Sequence, residues 1–272
     1  MRVGRITAVG IGVLLAASLA AAQFGRSRGG VGRRAAFAKS EDFDGGFQFC
    51  RLVVRESRQG DGAGWNVDYP RADINLSIRL SELTKTSVSM DEAREPKILL
   101  VNLGAPELFH CGFVMLTEPG AAYFTPEEAA NLKKYLLQGG FLWADDFWGE
   151  YAWDFFENQI RQALPSTTYP IVDLPRTHPI FMQTLNATQV PQIPGIGYWD
   201  GGGRTWERSR RENQAHFRAI NDAHGRIMVL FTHDTDFGDA YERESENPEY
   251  FMKFSVPGYA FGINVITYAM TH

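Results

Sequence analysis

Short, continuous apolar runs separated by amphipathic segments are the feature that most constrains the fold. Residues 97–103 (KILLVNL) are apolar without alternation and lie between Pro96 and Gly104, and residues 141–144 (FLWA) form a second such run. Strands of a parallel sheet have this pattern because helices cover both of their faces. The intervals between the runs show helical spacing, so the sequence predicts a three-layer α/β domain with a mostly parallel sheet.

Local signals place the remaining elements. The clearest helix start is residues 125–128 (TPEE), which supply a cap residue, a proline at the first helical position and a glutamate three residues after the cap. Apolar spacing predicts further helices over 72–83, from 149 onwards and over 259–270, where the buried Asn264 needs an internal partner. Residues 195–211 are expected to form an ordered surface loop. Further strands are predicted over 47–54, 113–116, around 171, and over 216–220 and 226–232.

The N-terminus has the pattern of an export signal. Arg2 and Arg5 precede an apolar run over 6–19, which is followed by three alanines at 20–22. We expect a signal peptide over 1–22 with cleavage after Ala22; the alternative is an uncleaved anchor. In either case the body leaves the cytoplasm for the periplasm or the exterior. No later segment reaches the roughly 18 apolar residues of a membrane span, so no transmembrane helix is expected after cleavage.

Charge and cysteine content indicate which partners the protein can bind and in which compartment it lies. Residues 1–36 contain six arginines and no acid, which leaves 21 basic against 32 acidic residues and a net charge of −11 for the rest. Such a body argues against nucleic-acid binding. Residues 23–42 are predicted to be a flexible basic linker, and 43–272 a single α/β domain. Cys50 and Cys111 either form a disulfide in an oxidising compartment or remain buried thiols.

Polar residues directly after strands are the candidate site, since ligands of open α/β sheets collect beyond the carboxyl ends of the strands. Asp145 and Asp146 follow the run 141–144. These carboxylates have the chemistry to bind a metal or to act as a base. The alternative is a helix cap with a solvated neighbour.

A second acidic segment follows another strand. Residues 232–236 (THDTD) supply His233, Asp234 and Asp236, which together with Asp145, Asp146 and His178 would suit a hard or borderline metal ion. No HExxH, paired CxxC or EF-hand spacing fixes such a ligand set, so metal and cofactor stay open. His178 precedes Pro179, where a histidine more often packs in a loop than binds a ligand.

Nucleophilic catalysis and nucleotide binding find less support in the sequence. The turn after 141–144 carries Asp145, Asp146 and Phe147 and no reactive serine or cysteine, and no phosphate loop or dinucleotide fingerprint is present. Aromatic residues near the carboxylates either stack on sugars or pack in the core; these are Trp148, Tyr151, Tyr198, Trp199 and Trp206.

An ordered set of phrases resembles a known bacterial family. The phrases are Trp65-x-x-Asp68-Tyr69-Pro70, residues 139–142 (GGFL) with Asp145 and Asp146, residues 178–181 (HPIF), and residues 225–226 running into 237–240 (FGDA). Together they resemble the family called domain of unknown function 4159, over nearly all of 47–270. The resemblance implies a flavodoxin-like fold similar to that of class I glutamine amidotransferases.

The resemblance implies less about activity. Amidotransferases of that fold use a Cys-His-Glu triad, whereas the matching turn here carries Asp145 and Asp146. Sugar-utilisation relatives share a His-Pro-Ile element like that at His178, and larger family members are joined to membrane segments associated with envelope assembly ATPases.

We therefore expect an exported, non-amidotransferase module of the cell envelope that binds a protein partner or a carbohydrate. The alternative is a carboxylate- or metal-dependent hydrolase of envelope carbohydrate, and a purely structural module is a third hypothesis. The candidate ligand-binding residues are Asp68, Asp145, Asp146, His178, His233, Asp234 and Asp236.

Overall fold

The computed structural model of the protein describes residues 37–272. Within them, nine strands have these bounds: β1 Phe49–Val53, β2 Arg55–Glu56, β3 Ile98–Asn102, β4 Phe113–Thr117, β5 Ala122–Tyr123, β6 Phe141–Asp145, β7 Ile171–Asp173, β8 His216–Asn221 and β9 Ile227–His233. The α-helices have these bounds: α1 Arg71–Thr84, α2 Pro126–Leu137, α3 Gly149–Ala163, α4 Ile196–Asp200, α5 Phe237–Glu242, α6 Pro248–Tyr250 and α7 Val256–Thr271.

Seven of the strands form one mostly parallel sheet in the order β3-β1-β4-β6-β9-β8-β7. The first five pair in parallel, whereas β8 runs antiparallel to both β9 and β7. Numbered along the chain, the five parallel strands have the order 2-1-3-4-5, which is that of flavodoxin-like sheets. The chain reverses its direction of winding between β1 and β4, so a crevice is expected at the carboxyl ends of these two strands. Strands β2 and β5 form a separate antiparallel ribbon.

Helices cover both faces of the sheet, as the apolar strands predict. Along β4, Phe113 and Met115 belong to the core under α1, α5 and α7, whereas Val114 and Leu116 belong to the core under α2 and α3. This alternation gives the sheet two buried faces and the domain three layers.

The predicted start of α2 is confirmed. Thr125 accepts a hydrogen bond from the Glu128 amide at 3.2 Å, and the Glu128 carboxylate accepts one from the Thr125 amide at 2.8 Å. Asn264 also has its internal partners, because its Oδ1 accepts from the amides of Thr184 and Leu185 at 2.9 and 2.8 Å. Its Nδ2 donates to the Leu185 carbonyl at 2.7 Å. Both predictions could be made from the sequence because each follows from a local requirement: a helix start needs a cap, and a buried amide side chain needs hydrogen-bond partners.

The amino-terminal edge of the sheet is held by side chains from other elements. Arg226, just before β9, donates to the carbonyls of Leu136 at 2.7 Å and Gly140 at 3.1 Å, at the end of α2 and before β6. The Tyr268 hydroxyl, near the end of α7, accepts from the amide of Ile227, the first residue of β9, at 3.1 Å. Helix α7 therefore ends at the amino-terminal edge of the sheet.

Cys50 and Cys111 form a disulfide, with their Cα atoms 6.2 Å apart. Cys50 lies on β1, and Cys111 lies just before β4, which pairs with β1. Both residues are buried in the core under α2 and α3. The bond thus joins the two strands on either side of the topological switch.

The surface loop expected over 195–211 contains one helical turn, α4. Its first amide, that of Ile196, donates to the Asp239 carboxylate of α5 at 2.5 Å. This helix start is capped by a residue that is distant in sequence, so no local signal announces it.

The predicted signal peptide, 1–22, lies outside the described residues, as does the predicted linker up to residue 36. The last six residues assigned to that linker are described, and there Phe37 bridges Leu100 and Asp42 pairs with Lys97 at 2.8 Å. Across 37–272, no helix has both the length and the apolar character needed to cross a bilayer.

Candidate functional site

Acidic residues from four segments meet at the carboxyl ends of the parallel strands. Asp68 lies between β1 and α1, and Glu118, Asp146 and Asp236 follow β4, β6 and β9. Strands β1 and β4 flank the topological switch, which is where open α/β sheets bind their ligands. We define the acidic pocket as Asp68, Glu118, Asp146, Glu207, Asp236, Asp239 and Glu242.

Three of the predicted site residues converge in this pocket. Asp68, Asp146 and Asp236 each place a carboxylate oxygen within 4.8 Å of the other two. Their exposed fractions are only 8%, 3% and 5%. A second set with the same spacing limit consists of Asp68, Asp239 and Glu242, so Asp68 is common to both.

Each of the three carboxylates has a different environment. Asp146 Oδ1 accepts from the Trp148 indole at 3.0 Å, and Asp236 Oδ1 accepts from the Asp239 amide at 2.7 Å and so caps α5. Asp68 Oδ2 is buried without any hydrogen-bond partner. That oxygen faces Gly238, where an added β-carbon would overlap it. The glycine therefore leaves room for the Asp68 carboxylate.

The backbone is unusual at this edge. Asp68, Glu118, Asp146 and Asp234 have φ angles of 60°, 50°, 59° and 55°, in the left-handed region. Non-glycine residues in sparsely populated conformations cost about 1–3 kcal/mol each and concentrate at functional sites. The strand-end turns therefore direct these acids at an energetic cost that surrounding packing offsets.

Burial and mutual repulsion raise the carboxyl pKa values. Burial, followed by the charges of Glu118 and Asp68, raises the pKa of Asp146 well above its ordinary range. The pKa of Asp236 is raised in the same way by burial and then by Asp146 and Asp239. Burial also raises the pKa of Glu118 to about 7. Burial and the neighbouring carboxylates therefore oppose ionisation of these groups.

The outer part of the pocket is better compensated than its centre. Arg243 Nε lies 2.8 Å from Glu242 Oε2 and 3.3 Å from Asp239 Oδ1. By contrast, the charges acting most strongly on Asp146 and Asp236 are all carboxylates. The uncompensated charge is thus centred on these two residues.

Asp145 and Asp234 anchor neighbouring elements. Asp145 is fully buried; its Oδ1 accepts from the Thr232 hydroxyl at 2.5 Å and its Oδ2 from the Phe237 amide at 3.0 Å. Burial raises its pKa to about 7. Asp234 Oδ1 accepts from the Gly149 amide at 2.8 Å, at the start of α3. Both carboxylates thus hold helix starts around the pocket.

The two histidines lie apart from the converged acids. His233 donates from Nε2 to the Gly149 carbonyl at 3.1 Å and packs against Phe147, and burial lowers its pKa to about 3. His178 Nδ1 accepts from the Ile180 amide at 3.2 Å, and its ring lies 6.3 Å from that of Tyr268. Since Tyr268 contacts the start of β9, His178 lies at the opposite edge of the sheet. The expectation that it joins the strand-end acids is wrong, because the 3₁₀ helix that it caps packs on α7.

The nearby aromatic residues divide between core and surface. Trp148 is 2% exposed and packs inside, and the Trp199 ring packs 5.0 Å from that of Phe254. Tyr151 is 62% exposed. Of these three, only Tyr151 presents an open ring surface for a ligand.

Four acids of the pocket were not predicted from the sequence. Glu118 directly follows β4, so the strand-end rule applied to that strand would have found it. Asp239 and Glu242 lie on the unpredicted helix α5. Glu207 belongs to the long segment between α4 and β8, where neither spacing nor a strand end marks it.

The class of protein is now defined: a doubly wound α/β domain with a disulfide across its topological switch and a pocket of buried carboxylates at its strand ends. Residues 50–270 match the family described as Domain of unknown function (DUF4159), and the chain belongs to that family. The predicted membership is confirmed. A search of the curated proteins found no match.

Proposed function

We propose that this chain is an exported ligand-binding module of the bacterial cell envelope that binds through the acidic pocket. The observation that carries the proposal is the convergence of Asp68, Asp146 and Asp236, nearly buried and mutually repulsive, at the topological switch. Burying carboxylates costs several kcal/mol per ion unless a partner compensates them. A pocket that retains this cost is best explained by a ligand.

The domain is not an amidotransferase in this proposal. The strand order supports a fold like that of class I glutamine amidotransferases, whose chemistry requires a cysteine thiol at the turn after the central strand. That turn holds Asp145 and Asp146 here, and both cysteines are joined in the disulfide. Fold similarity therefore does not extend to the reaction.

Export is supported by two independent features. Residues 1–22 have the charge and apolar pattern of a signal peptide, and disulfides persist mainly in oxidising compartments.

Hydroxyl-rich envelope carbohydrate is the ligand class that we favour over a protein partner. Carboxylates accept hydrogen bonds from hydroxyl groups, and such charge-assisted bonds are about twice as strong as neutral ones. The exposed ring of Tyr151, on the helix that follows Asp146, offers a stacking surface.

Co-sedimentation with purified peptidoglycan sacculi tests this proposal. The full chain should pellet with sacculi, and Asp146→Asn should weaken binding at least about tenfold, the loss expected when a charge-assisted bond is removed. Asp173→Asn is the matched control, because Asp173 is an exposed residue at the far edge of the sheet. Equal binding by wild type and Asp146→Asn would refute a role for the pocket. Absence of wild-type binding would overturn carbohydrate as the ligand.

A hydrolase is the second candidate, favoured by the backbone of Asp146. This residue has a φ of 59° at the turn from β6 to α3, and α/β hydrolases hold their nucleophile on such a strained strand-to-helix turn. Carboxylates serve as nucleophiles in glycosidases. Mass spectrometry of the supernatant from the same incubation separates the candidates. Soluble fragments released by wild type but not by Asp146→Asn would identify a hydrolase, and binding without fragments a binding module.

A further inference from the structure

We propose that Asp68, Asp146 and Asp236 bind one Ca²⁺ ion, which completes the acidic pocket. This proposal deepens the proposed function and rests on it, because it concerns the same pocket. Ca²⁺ binding would precede ligand binding and is tested separately from it.

The spacing of the three carboxylates suits one shared cation. Their ligand oxygens all lie within 4.8 Å of one another. One cation can contact all three oxygens within this limit, because Ca–O distances of about 2.3–2.6 Å place two ligand oxygens at most about 5.2 Å apart. Ca²⁺ tolerates irregular all-carboxylate sites, whereas Mg²⁺ demands a near-ideal octahedron and usually keeps several waters. The ligand set therefore favours Ca²⁺.

Buried polar atoms without partners point to a group that belongs in the pocket. Asp68 is 8% exposed, and its Oδ2 has no hydrogen-bond partner. The Thr117 hydroxyl is fully buried and also has none. Thr117 pairs with Asp145 in the β4–β6 register, so both side chains leave the sheet on the face covered by α1, and Asp68 lies three residues before that helix begins. Native proteins satisfy more than about 90% of such groups, and each exception requires an explanation.

The surrounding charges favour a cation at Asp68, Asp146 and Asp236, the first set, over one at the second set. The second set shares Asp68 but includes Asp239 and Glu242, which Arg243 already contacts at 3.3 and 2.8 Å. A divalent cation there would lie beside a guanidinium. Asp146 and Asp236 pair with no Lys or Arg side chain in the described part of the chain, and their strongest electrostatic neighbours are acids.

The protein holds the first set in a binding-ready orientation. The Trp148 indole fixes Oδ1 of Asp146, and the Asp239 amide fixes Oδ1 of Asp236. Hydrogen bonds of this kind orient metal-binding carboxylates and are worth about 10–100-fold in affinity. A bound Ca²⁺ retains positions for additional oxygens, since it accepts six to eight, and hydroxyl groups of a carbohydrate would fill them.

Calorimetric titration of the EDTA-stripped full chain with CaCl₂ and with MgCl₂ tests the site. We expect one Ca²⁺ per chain, and affinity for Mg²⁺ at least about tenfold weaker. Asp236→Asn, which keeps the oxygen that caps α5, should weaken Ca²⁺ binding at least about tenfold. Asp173→Asn removes the same charge from an exposed residue at the far edge of the sheet and should change the affinity less than about threefold. If Asp236→Asn fails to fold, as judged by circular dichroism, Asp146→Asn replaces it.

Tb³⁺ luminescence supplies a geometric check. Tb³⁺ replaces Ca²⁺ in proteins and emits when a neighbouring tryptophan is excited. Because the Trp148 indole lies 3.0 Å from Asp146, Tb³⁺ emission should be strong, should fall in Trp148→Phe and should be displaced by Ca²⁺. Emission that is unaltered in Trp148→Phe would place the ion elsewhere.

The outcomes separate this inference from the proposed function. Absence of Ca²⁺ binding, or equal binding by Asp236→Asn, overturns the metal site even if sacculi still bind in an Asp146-dependent manner. Ca²⁺ binding without sacculi binding supports the metal site and overturns the carbohydrate proposal. Sacculi binding that EGTA abolishes and Ca²⁺ restores supports both.

Discussion

Removal of the Cys50–Cys111 disulfide should lower the free energy of unfolding by about 4 kcal/mol. The bond joins residues 61 positions apart. Closing a loop of that length in the unfolded chain costs roughly 14 cal/mol/K of entropy, which corresponds to about 4 kcal/mol at 25 °C. Reduction restores this freedom to the unfolded state and so favours it.

Urea denaturation followed by tryptophan fluorescence measures the effect. Oxidised protein is compared with reduced, alkylation-trapped protein and with the Cys50→Ala/Cys111→Ala variant. For a domain of this size the transition midpoint should move down by roughly 1.5 M urea on reduction. The double variant should fall somewhat further, since both cysteines are buried and the alanines lose sulfur contacts.

Two results would refute the reasoning at different steps. Titration of two free thiols in native, oxidised protein would show that the pairing is wrong. An intact bond whose reduction changes the unfolding free energy by less than about 1 kcal/mol would show that loop closure does not govern its effect.

Three further predictions concern separate parts of the chain. Asn264→Ala should destabilise the domain by about 2–4 kcal/mol in urea denaturation, because it leaves three backbone groups without their bonds, whereas the exposed Met270→Ala should cost under about 0.5 kcal/mol. The buried His233 has its pKa lowered from 6.5 to about 3, so the unfolded state binds more protons at this residue between these values and the contribution of His233 to stability falls as pH falls. Between pH 7 and pH 5 this loss should be about 2 kcal/mol, and His233→Gln should lack it; equal pH dependence in both proteins would contradict the assignment. Expression of the full chain in a bacterial host should yield periplasmic protein whose intact mass begins at Gln23, whereas a cytoplasmic product beginning at Met1 would contradict export.

The elements of the fold were predictable where the cause is local. The capping residues at 125–128 define the start of α2, and the apolar runs at 97–103 and 141–144 became β3 and β6. The strand order was not predictable from these patterns, because pairing of β1 with both β3 and β4 depends on contacts between distant segments. Helix α5 was not predicted because it spans only six residues and its cap, Asp236, lies in the turn that follows β9.

The candidate site was predictable in part for the same reason. The strand-end rule found Asp146 and Asp236, and the family phrase around residue 68 supplied Asp68. The strand-end rule could not separate Asp146, whose carboxylate joins the pocket, from the adjacent Asp145, whose carboxylate points into the core and accepts a hydrogen bond from the first amide of α5. That difference follows from the left-handed backbone of Asp146 and not from residue type.

The position at which α7 ends determines how the protein can be attached to a surface. The Tyr268 contact with the first residue of β9 places this helix end at the edge of the sheet opposite the acidic pocket. An affinity handle fused after His272 would therefore emerge on the far side of the domain. On a sensor chip, protein captured through that handle would present its carboxylates to the flowing solution, and immobilisation would leave ligand access unobstructed.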